Sequence, residues 1–427
     1  MIKNKGKKMN KDNSKLTKLE KYWVLYDVGN SAFILLVSTI IPIYFKNIAS
    51  SMGISAANST AYWGYSISIS TLIVAILGPV LGTLADTRGY KKPLFTLFLM
   101  LGVLGCASLA LPLPWLLFLI VFVIAKVGVS SSLIFYDAML SDVTTDDRMD
   151  MLSSLGYAWG YIGSCIPFIL SLLLILSADK LNITSGLATQ ISFIINAAWW
   201  FLITIPLYKH YKQIHYIDVE KNALKNAFIR LGNTFRDIKE QKEIFIFLLA
   251  FFFYIDGVYT IIEMATSYGK DVGIDDNNLL FALLLTQIVA FPFAIIFGRL
   301  SKKFKTTSLI SFTIGGYFFI ALFALQLDKA WEFWFLAVCV AMFQGAIQAL
   351  SRSYFARIIP KEKSSEYFGF YDIFGKGASF TGTMLMGVTT QISGNSRTGV
   401  ALIAVMFIIG YLIFRRAIKL NVSKVEQ

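Results

Sequence analysis

The sequence predicts an all-α polytopic membrane protein, with twelve transmembrane helices arranged as two six-helix pseudo-repeats. Of the 427 residues, 56% are hydrophobic and only 15% are charged, whereas a soluble domain carries roughly 25% charged residues. Uncharged runs such as 93–125 and 181–208 are each long enough to cross a hydrocarbon core of about 30 Å. Continuous apolar runs of this length indicate spanning helices rather than the alternating strands of a membrane barrel.

The apolar spans follow one another through short connections, apart from one charged segment in the middle of the chain. This segment, 209–242, separates six spans from six, and we expect its two histidines, His210 and His215, to be solvated. The predicted spans are 22–46, 60–85, 93–112, 115–139, 151–177, 186–208, 243–266, 278–298, 306–327, 331–354, 365–391 and 398–418. The predicted domains are a Lys-rich N-terminus at 1–21, a six-helix bundle at 22–208, a central loop at 209–242, a second bundle at 243–418 and a tail at 419–427.

The basic residues, which give the chain a net charge of +13, fall at alternate ends of the predicted spans. They are concentrated in the N-terminus and central loop, with smaller groups at 88–92, 299–305, 352–363 and 415–424. By the positive-inside rule, these segments and both termini are expected to be cytoplasmic. The same placement, without interleaved aromatics, argues against nucleic-acid binding.

The loop between the second and third spans carries a distinctive set of residues. Gly82 is followed by Asp86, Arg88 and Gly89, and this spacing resembles the signature loop of the major facilitator superfamily. Its carboxylate and basic turn can pair across the two halves in one conformation and release in another. We predict a conformational latch here, together with Arg352 of the tenth span. An ordinary positive-inside loop is the alternative.

Several segments are similar to a narrower group, the vacuole-effluxer branch of that superfamily, which includes fungal vacuolar amino-acid exporters and bacterial relatives. The matching segments are 26–33, 156–163, 254–261, 348–353 and 368–376, so the resemblance spans nearly the whole chain. It implies the major facilitator fold, a bacterial cytoplasmic membrane location and export of amino acids by alternating access. A carrier of another metabolite, drug or lipid-like solute is the alternative.

Ionisable side chains within apolar spans are costly and usually face a pathway or a partner. We predict that Lys126 or Lys376 receives the carboxylate of a zwitterionic substrate, while Asp256, helped by Glu263, receives its ammonium. The alternative is that the lysines only neutralise Asp256, Asp372 or Asp137 in static bridges. The full predicted substrate site is Lys126, Asp256, Glu263, Lys376, Gln344, Gln348, Tyr254 and Tyr136.

Buried carboxyl groups are also candidates for proton exchange during a transport cycle. Asp27 and Asp256 are the strongest, and Asp27 shares a helical face with the polar side chain of Asn30. The full predicted coupling set is Asp27, Asn30, Asp256, Asp137 and Asp372. Sodium coupling and uncoupled exchange are the alternatives.

Two comparable six-helix halves favour a carrier over other classes of membrane protein. An enzyme is not expected, because the sequence has no Gly-Lys-Ser/Thr phosphate loop and no metal-ligand spacing. We expect no cofactor and no metal. The expected partners are a small-molecule substrate, the lipid bilayer and protons, and we expect the protein to act as a monomer. A receptor or scaffold is the non-carrier alternative.

Overall fold

A computed structural model describes residues 15–218, 236, 241–271, 273–274 and 276–425. Most of the predicted N-terminal segment and most of the central loop lie outside these residues. The described chain is almost entirely helical and contains no β-strand beyond one isolated bridge between Thr87 and Ile217.

The described residues of the first half form eight α-helices. They are α1 (Lys18–Ser38), α2 (Ile40–Ser51), α3 (Ala56–Ala85), α4 (Lys91–Ser108), α5 (Trp115–Ala138), α6 (Leu140–Val143), α7 (Met149–Leu176) and α8 (Ser185–His210). The second half contributes α9 (Lys242–Asp271), α10 (Asp276–Leu300), α11 (Thr306–Ala324), α12 (Ala330–Ile358), α13 (Ser364–Ser393) and α14 (Ser396–Val425).

The twelve predicted crossings are confirmed, although the first is broken into α1 and α2. Thr39 leaves the helical conformation, with φ −130° and ψ −77°. Its hydroxyl bonds to the Leu35 carbonyl at 2.5 Å, and Pro42 has no N–H for the carbonyl four residues before it. These two local effects account for the break, which hydropathy alone does not reveal.

Eleven of the crossings also have the length and apolar composition of membrane spans among the described residues. The remaining one is α13, a 30-residue helix that carries Glu366, Asp372 and Lys376. It packs against α3, α9 and α14. Because its polar side chains have other helices as neighbours, α13 needs less apolar surface than a helix that faces lipid.

The two bundles meet along α13 with α3 and α5, and along α7 with α10 and α12. At the first contact the helix backbones touch directly. A Cβ atom at Gly82 would lie 2.3 Å from the Ser365 carbonyl oxygen, and one at Gly369 would lie 2.8 Å from the Gly78 carbonyl oxygen. Only glycine permits so close an approach at these positions.

The connections 86–90, 139–148, 211–218, 301–305 and 359–363 lie at one end of the bundles, which we call the basic side. Hydrogen bonds between the bundles run from this side to the level of Tyr161 and Gln348. Beyond that level the described residues form no hydrogen bond between bundles. The bundles are therefore tied together by hydrogen bonds on the basic side, and we call the part of the bundle interface on the other side the cleft.

Candidate functional site

Arg352 extends from α12 into the first bundle. Its guanidinium donates to Asp137 Oδ1 at 2.9 Å and approaches Asp27 Oδ2 at 3.5 Å, while its Nε donates to Ser153 Oγ at 2.9 Å. The residue is only 2% exposed. Arg352 thus holds two carboxylates of the first bundle with a cation of the second, in a charge-assisted network.

Aromatic rings complete this enclosure. The Arg352 guanidinium lies 4.4 Å from the centre of the Tyr157 ring, 4.8 Å from that of Trp23 and 5.6 Å from that of Tyr136. Tyr136 also donates its hydroxyl to Asp27 at 2.8 Å and is fully buried. In this conformation Tyr136 belongs to the contact with Arg352, and its predicted role in substrate binding stays a prediction.

A second contact between the bundles involves Asp86 at the end of α3. Its two carboxylate oxygens each accept a backbone N–H of α13, from Ser365 and Glu366, at 2.9 Å. Asp86 therefore caps the first turn of a helix in the opposite bundle, where a negative charge is favourable. Burial raises the pKa of Asp86 to about 7, although Lys91 and the two N–H groups act in the other direction.

Lys91 is fully buried beside this cap, and the predicted latch did not include it. Its ammonium donates to Asp142 at 3.3 Å and to Ser364 of the opposite bundle at 3.0 Å, and it lies 3.9 Å from Asp86. The sequence signal was its position immediately after the glycine turn of the signature loop. What the sequence did not reveal was its carboxylate partner, which lies 51 residues away.

The first part of the central loop, Tyr211–Asp218, folds back over the signature loop, and we call it the strap. Ile217 exchanges backbone hydrogen bonds with Asp86 and Arg88, at 2.8 and 2.9 Å. Gln213 accepts from the N–H of Gly89 and donates to the Ala85 carbonyl, both at 3.0 Å. The predicted latch residue Arg88 lies over the ring of Tyr216, at 5.0 Å, and so contacts the strap. Gly89 supplies the turn, with φ +82°.

Asp142 joins the strap to Lys91. It accepts hydrogen bonds from the Tyr211 hydroxyl at 2.6 Å and from the backbone N–H of His215 at 2.9 Å, and the His215 ring lies at 2.9 Å. Burial alone would raise the pKa of Asp142, but Lys91 and these hydrogen bonds lower it below its usual value. The expectation that His215 is simply solvated is wrong, because a long-range fold contact pairs it with Asp142.

The cleft contains charges of both signs. Lys376 forms an ion pair with Asp372 at 2.6 Å, one turn away on α13. The half-buried Lys126 of α5 has no ion pair or hydrogen bond with any described residue. Across the bundle interface it interacts electrostatically with the like-charged Lys376 and with the acidic Glu263 and Asp372. Glu263 accepts the Ser379 hydroxyl at 2.9 Å and has no described cation within 4 Å.

The predicted charges therefore separate into two groups. The alternative of a static ion pair applies to Lys376, because Asp372 neutralises it. Lys126 of the first bundle and Glu263 of the second are left without ion-pair partners among the described residues. One cation and one anion from opposite bundles thus remain available to a ligand with both charges.

The other predicted substrate residues lie inside the second bundle. Asp256 is fully buried against α13, and Tyr254 is fully buried with its hydroxyl 2.7 Å from Ser351 Oγ. Gln348 donates to the Gln344 carbonyl at 3.2 Å. Gln344 lines a largely apolar cavity of about 120 Å³ within this bundle. Contact of these four residues with substrate stays a prediction, and in this conformation both Gln344 and Gln348 interact with Tyr161 of the first bundle.

No group of three or more His, Cys, Asp or Glu side chains within the described part of the chain is arranged to hold a metal ion.

The sequence matches the family model described as vacuole effluxer Atg22 like, over residues 17–149 and 141–427. It is 47% identical over 405 residues to the MFS-type transporter YxiO of Bacillus subtilis, covering 93% of this chain and 94% of that protein. It is 26% identical over 291 residues to autophagy-related protein 22 of Saccharomyces cerevisiae, covering 59% of this chain and 54% of the yeast protein. The matched region is thus about half of the yeast relative.

Solved structures share the fold at low sequence identity. The human organic anion transporter MFSD10 superposes with a TM-score of 0.71 at 12% identity, covering 93% of this chain and 99% of that one. The major facilitator transporter FucP in an outward conformation gives a TM-score of 0.71 at 14% identity, covering 94% and 97%. At these identities the likeness establishes the fold alone.

Proposed function

The chain belongs to the Atg22-like vacuole effluxer family of major facilitator transporters, and we propose that it exports amino acids through the cleft by alternating access. The observation that carries this proposal is the pair of charges without ion-pair partners, Lys126 on α5 and Glu263 on α9. An amino acid carries a carboxylate and an ammonium and so complements both charges. Ionisable side chains within membrane-spanning helices are costly and usually face a pathway or a partner, which a ligand with both charges would supply.

The two charges lie on opposite bundles, so a bound amino acid draws the bundles together across the cleft. Closure there has to accompany opening of the basic side, where Arg352 and Asp86 hold the bundles. Alternating access in this protein is then an exchange of contacts: substrate-mediated contacts form in the cleft as the latch of Gly82, Asp86 and Arg352 separates.

We further propose proton coupling, with the protein acting as a monomer in a bacterial cytoplasmic membrane and both termini on the cytoplasmic side. The support for proton coupling is the set of carboxyl groups within the bundles, and the support for the orientation is the positive-inside rule. On this assignment the basic side faces the cytoplasm, so the hydrogen bonds that join the bundles in this conformation lie on the cytoplasmic side.

Thermal stabilisation of the purified protein by a panel of amino acids, dipeptides, amines and lipid-like solutes tests the substrate class. A ligand that binds the folded state raises its melting temperature in proportion to RT ln(1 + [L]/Kd). We expect amino acids to stabilise the wild-type protein and not Lys126→Ala or Glu263→Gln. Lys180→Ala, at an exposed lysine in the turn Asp179–Leu181, is the matched control and should respond like the wild type.

A carrier of an amphipathic solute is the second candidate, favoured by the apolar cavity of about 120 Å³ beside Gln344. Stabilisation by lipid-like solutes alone would support it and would contradict the amino-acid proposal. Saturable counterflow of the bound solute in vesicles distinguishes either carrier from a receptor or scaffold.

A further inference from the structure

Asp256 lies in the middle of α9, about 21 Å along the helix from Lys242, and is 0% exposed. Its Oδ1 accepts the backbone N–H of Gly382 at 2.8 Å and a long hydrogen bond of 3.5 Å from Thr260. Its Oδ2 is buried and has no hydrogen-bond partner among the described residues. One good hydrogen bond is a poor replacement for the hydration of an ionised carboxylate.

The other acidic residues of the predicted coupling set have cationic partners. Asp27 and Asp137 share the guanidinium of Arg352, and Asp372 pairs with Lys376. Each of these three carboxylates therefore has a cation within 4 Å. Charge pairing of this kind allows a carboxylate to stay ionised within a bundle.

No cation compensates Asp256 in the same way. The charged group that acts on it electrostatically is Glu263, another carboxyl group, two turns further along α9. Within the described parts of α10, α11, α12, α13 and α14, no Lys, Arg or His lies within 4 Å of its carboxyl oxygens. The neutral acid is the form that this environment accommodates, because it has no net charge to compensate.

We propose that Asp256 is a proton-binding site, protonated on Oδ2 in this conformation, and that its proton is the one exchanged during transport. The exchange itself rests on the proposed function, whereas the protonation does not. When water reaches Oδ2, the O–H bond of the Asp256 carboxylic acid breaks. The bonding electrons stay on the carboxylate, and the proton passes to water to form hydronium. Rebinding reverses this step.

One helix connects this proton site to the charges in the cleft. Along α13, Lys376 pairs with Asp372, Ser379 holds Glu263, and the N–H of Gly382 holds Asp256. A displacement of α13 relative to α9 changes the last two contacts together. A Cβ at Gly382 would lie 2.1 Å from Thr260 Oγ1 and 2.2 Å from Asp256 Oδ1, so only glycine allows this approach.

Infrared difference spectroscopy of the protein in lipid vesicles detects the proton directly, without a ligand. In an Asp86→Asn background, which removes a second candidate carboxyl group, with a pKa of about 7, the spectrum at neutral pH should contain a carboxylic-acid carbonyl band that shifts in D2O. We expect Asp256→Asn, added to this background, to lose the band and Asp27→Asn to keep it. A background protein without such a band, or an unchanged band on adding Asp256→Asn, would overturn the proposal.

Asn has nearly the shape of a protonated Asp, so Asp256→Asn should fold and should resemble the protonated state. If it does not fold, Asp256→Glu serves instead, because a longer side chain must shift the band. An Asp256→Glu spectrum identical to that of the Asp86→Asn background would equally contradict the proposal. Gly377→Ala, at a site on α13 with no atom closer than 4.0 Å to the added methyl group, should leave the band unchanged.

The transport consequence is measured with the amino acid that gives the largest thermal shift in the panel. Asp256→Asn should lose the acceleration of flux by a pH gradient, whereas Gly377→Ala should keep it. An Asp256→Asn protein that still responds to the gradient would exclude Asp256 as the exchanged proton's site. If no amino acid binds, the proposed function fails, and the infrared result is judged separately.

Discussion

Arg352 is a cation held almost without water between two carboxylates and three aromatic rings. Its contribution to stability is seen most clearly when it is removed, because Asp27 and Asp137 would then be buried without a cation. Removing one partner of a buried ion pair typically costs about 3–5 kcal/mol. The residue therefore acts as a strong and specific tie between the bundles on the basic side.

We expect Arg352→Gln to lower the free energy of unfolding by about 3–5 kcal/mol and to favour opening of the basic side. Adding Asp137→Asn should recover part of this loss, because one buried carboxylate is then removed. Chemical denaturation of the single and double variants measures the coupling. Arg397→Gln, in an exposed pair with Asp328, is the control and should change stability by no more than about 1 kcal/mol. Equal effects of the two Arg variants would contradict this account.

Several contacts at this scale could not be read from the sequence. The motif at 82–89 and the buried charges were visible, because residue type and spacing mark them. Their partners were not, since Arg352 meets Asp137 across 215 positions and Lys91 meets Asp142 across 51. Asp256 also shows the limit: its residue type predicts both substrate binding and proton exchange, and its burial against Gly382 could not be predicted from the sequence.

The elements of the basic side form a continuous assembly of helix ends and loops. Asp86 at the end of α3 caps α13, Lys91 at the start of α4 bonds to Ser364, and the strap holds the loop between them. Neither the strap nor the break at Thr39 follows from hydropathy, because both depend on hydrogen bonds rather than apolar periodicity. Eleven of the twelve crossings were predictable because each contains a long apolar run, whereas α13 carries three charged side chains.

The cap at Asp86 predicts a pH dependence of latch closure. When Asp86 is buried against α13, its pKa is about 7, well above the ordinary Asp value of about 4. Exposure of Asp86 in an open state restores the ordinary value. The closed state therefore binds a proton more tightly, so this contribution to closure is complete below about pH 4 and is lost as the pH rises through about 7. A distance measurement between spin labels on the basic ends of α3 and α13 should show more opening at higher pH.

Asp86→Asn should reduce this pH dependence, because an amide does not ionise at these pH values. His215→Gln is the control, since it changes a side chain on Asp142 and leaves the cap itself intact. Label distances that do not vary between pH 4 and 8 in the wild-type protein would refute the assignment to Asp86.

The hydrogen bonds of the strap predict how fast backbone amide hydrogens of the signature loop exchange with solvent. Gln213→Ala removes the acceptor of the Gly89 N–H and the donor to the Ala85 carbonyl. A hydrogen bond contributes about 1 kcal/mol, so the Gly89 amide should exchange roughly five-fold faster. Gln190→Ala, which removes a bond to Tyr44 elsewhere in the bundle, should leave that rate unchanged. Equal rates in Gln213→Ala and the wild type would show that the strap does not order the loop.

The whole molecule is a major facilitator transporter whose two bundles are joined by ion pairs and hydrogen bonds on the basic side. Polar contacts between bundles are concentrated where the chain is most basic, while the cleft holds Lys126 and Glu263 without ion-pair partners. The proposed cycle exchanges the first set of contacts for substrate-mediated ones. The substrate class then follows from charge: a ligand with one anionic and one cationic group satisfies both bundles.

The most direct test of this claim compares three ligands of matched shape: the best-binding amino acid, its amide and its deaminated acid. Affinity measured by calorimetry should fall at least ten-fold when either charge is removed from the ligand. In Lys126→Met the amide should bind as well as the amino acid, because the carboxylate has lost its partner. Wild-type protein that binds the amide or the deaminated acid as tightly as the amino acid would contradict the zwitterion site.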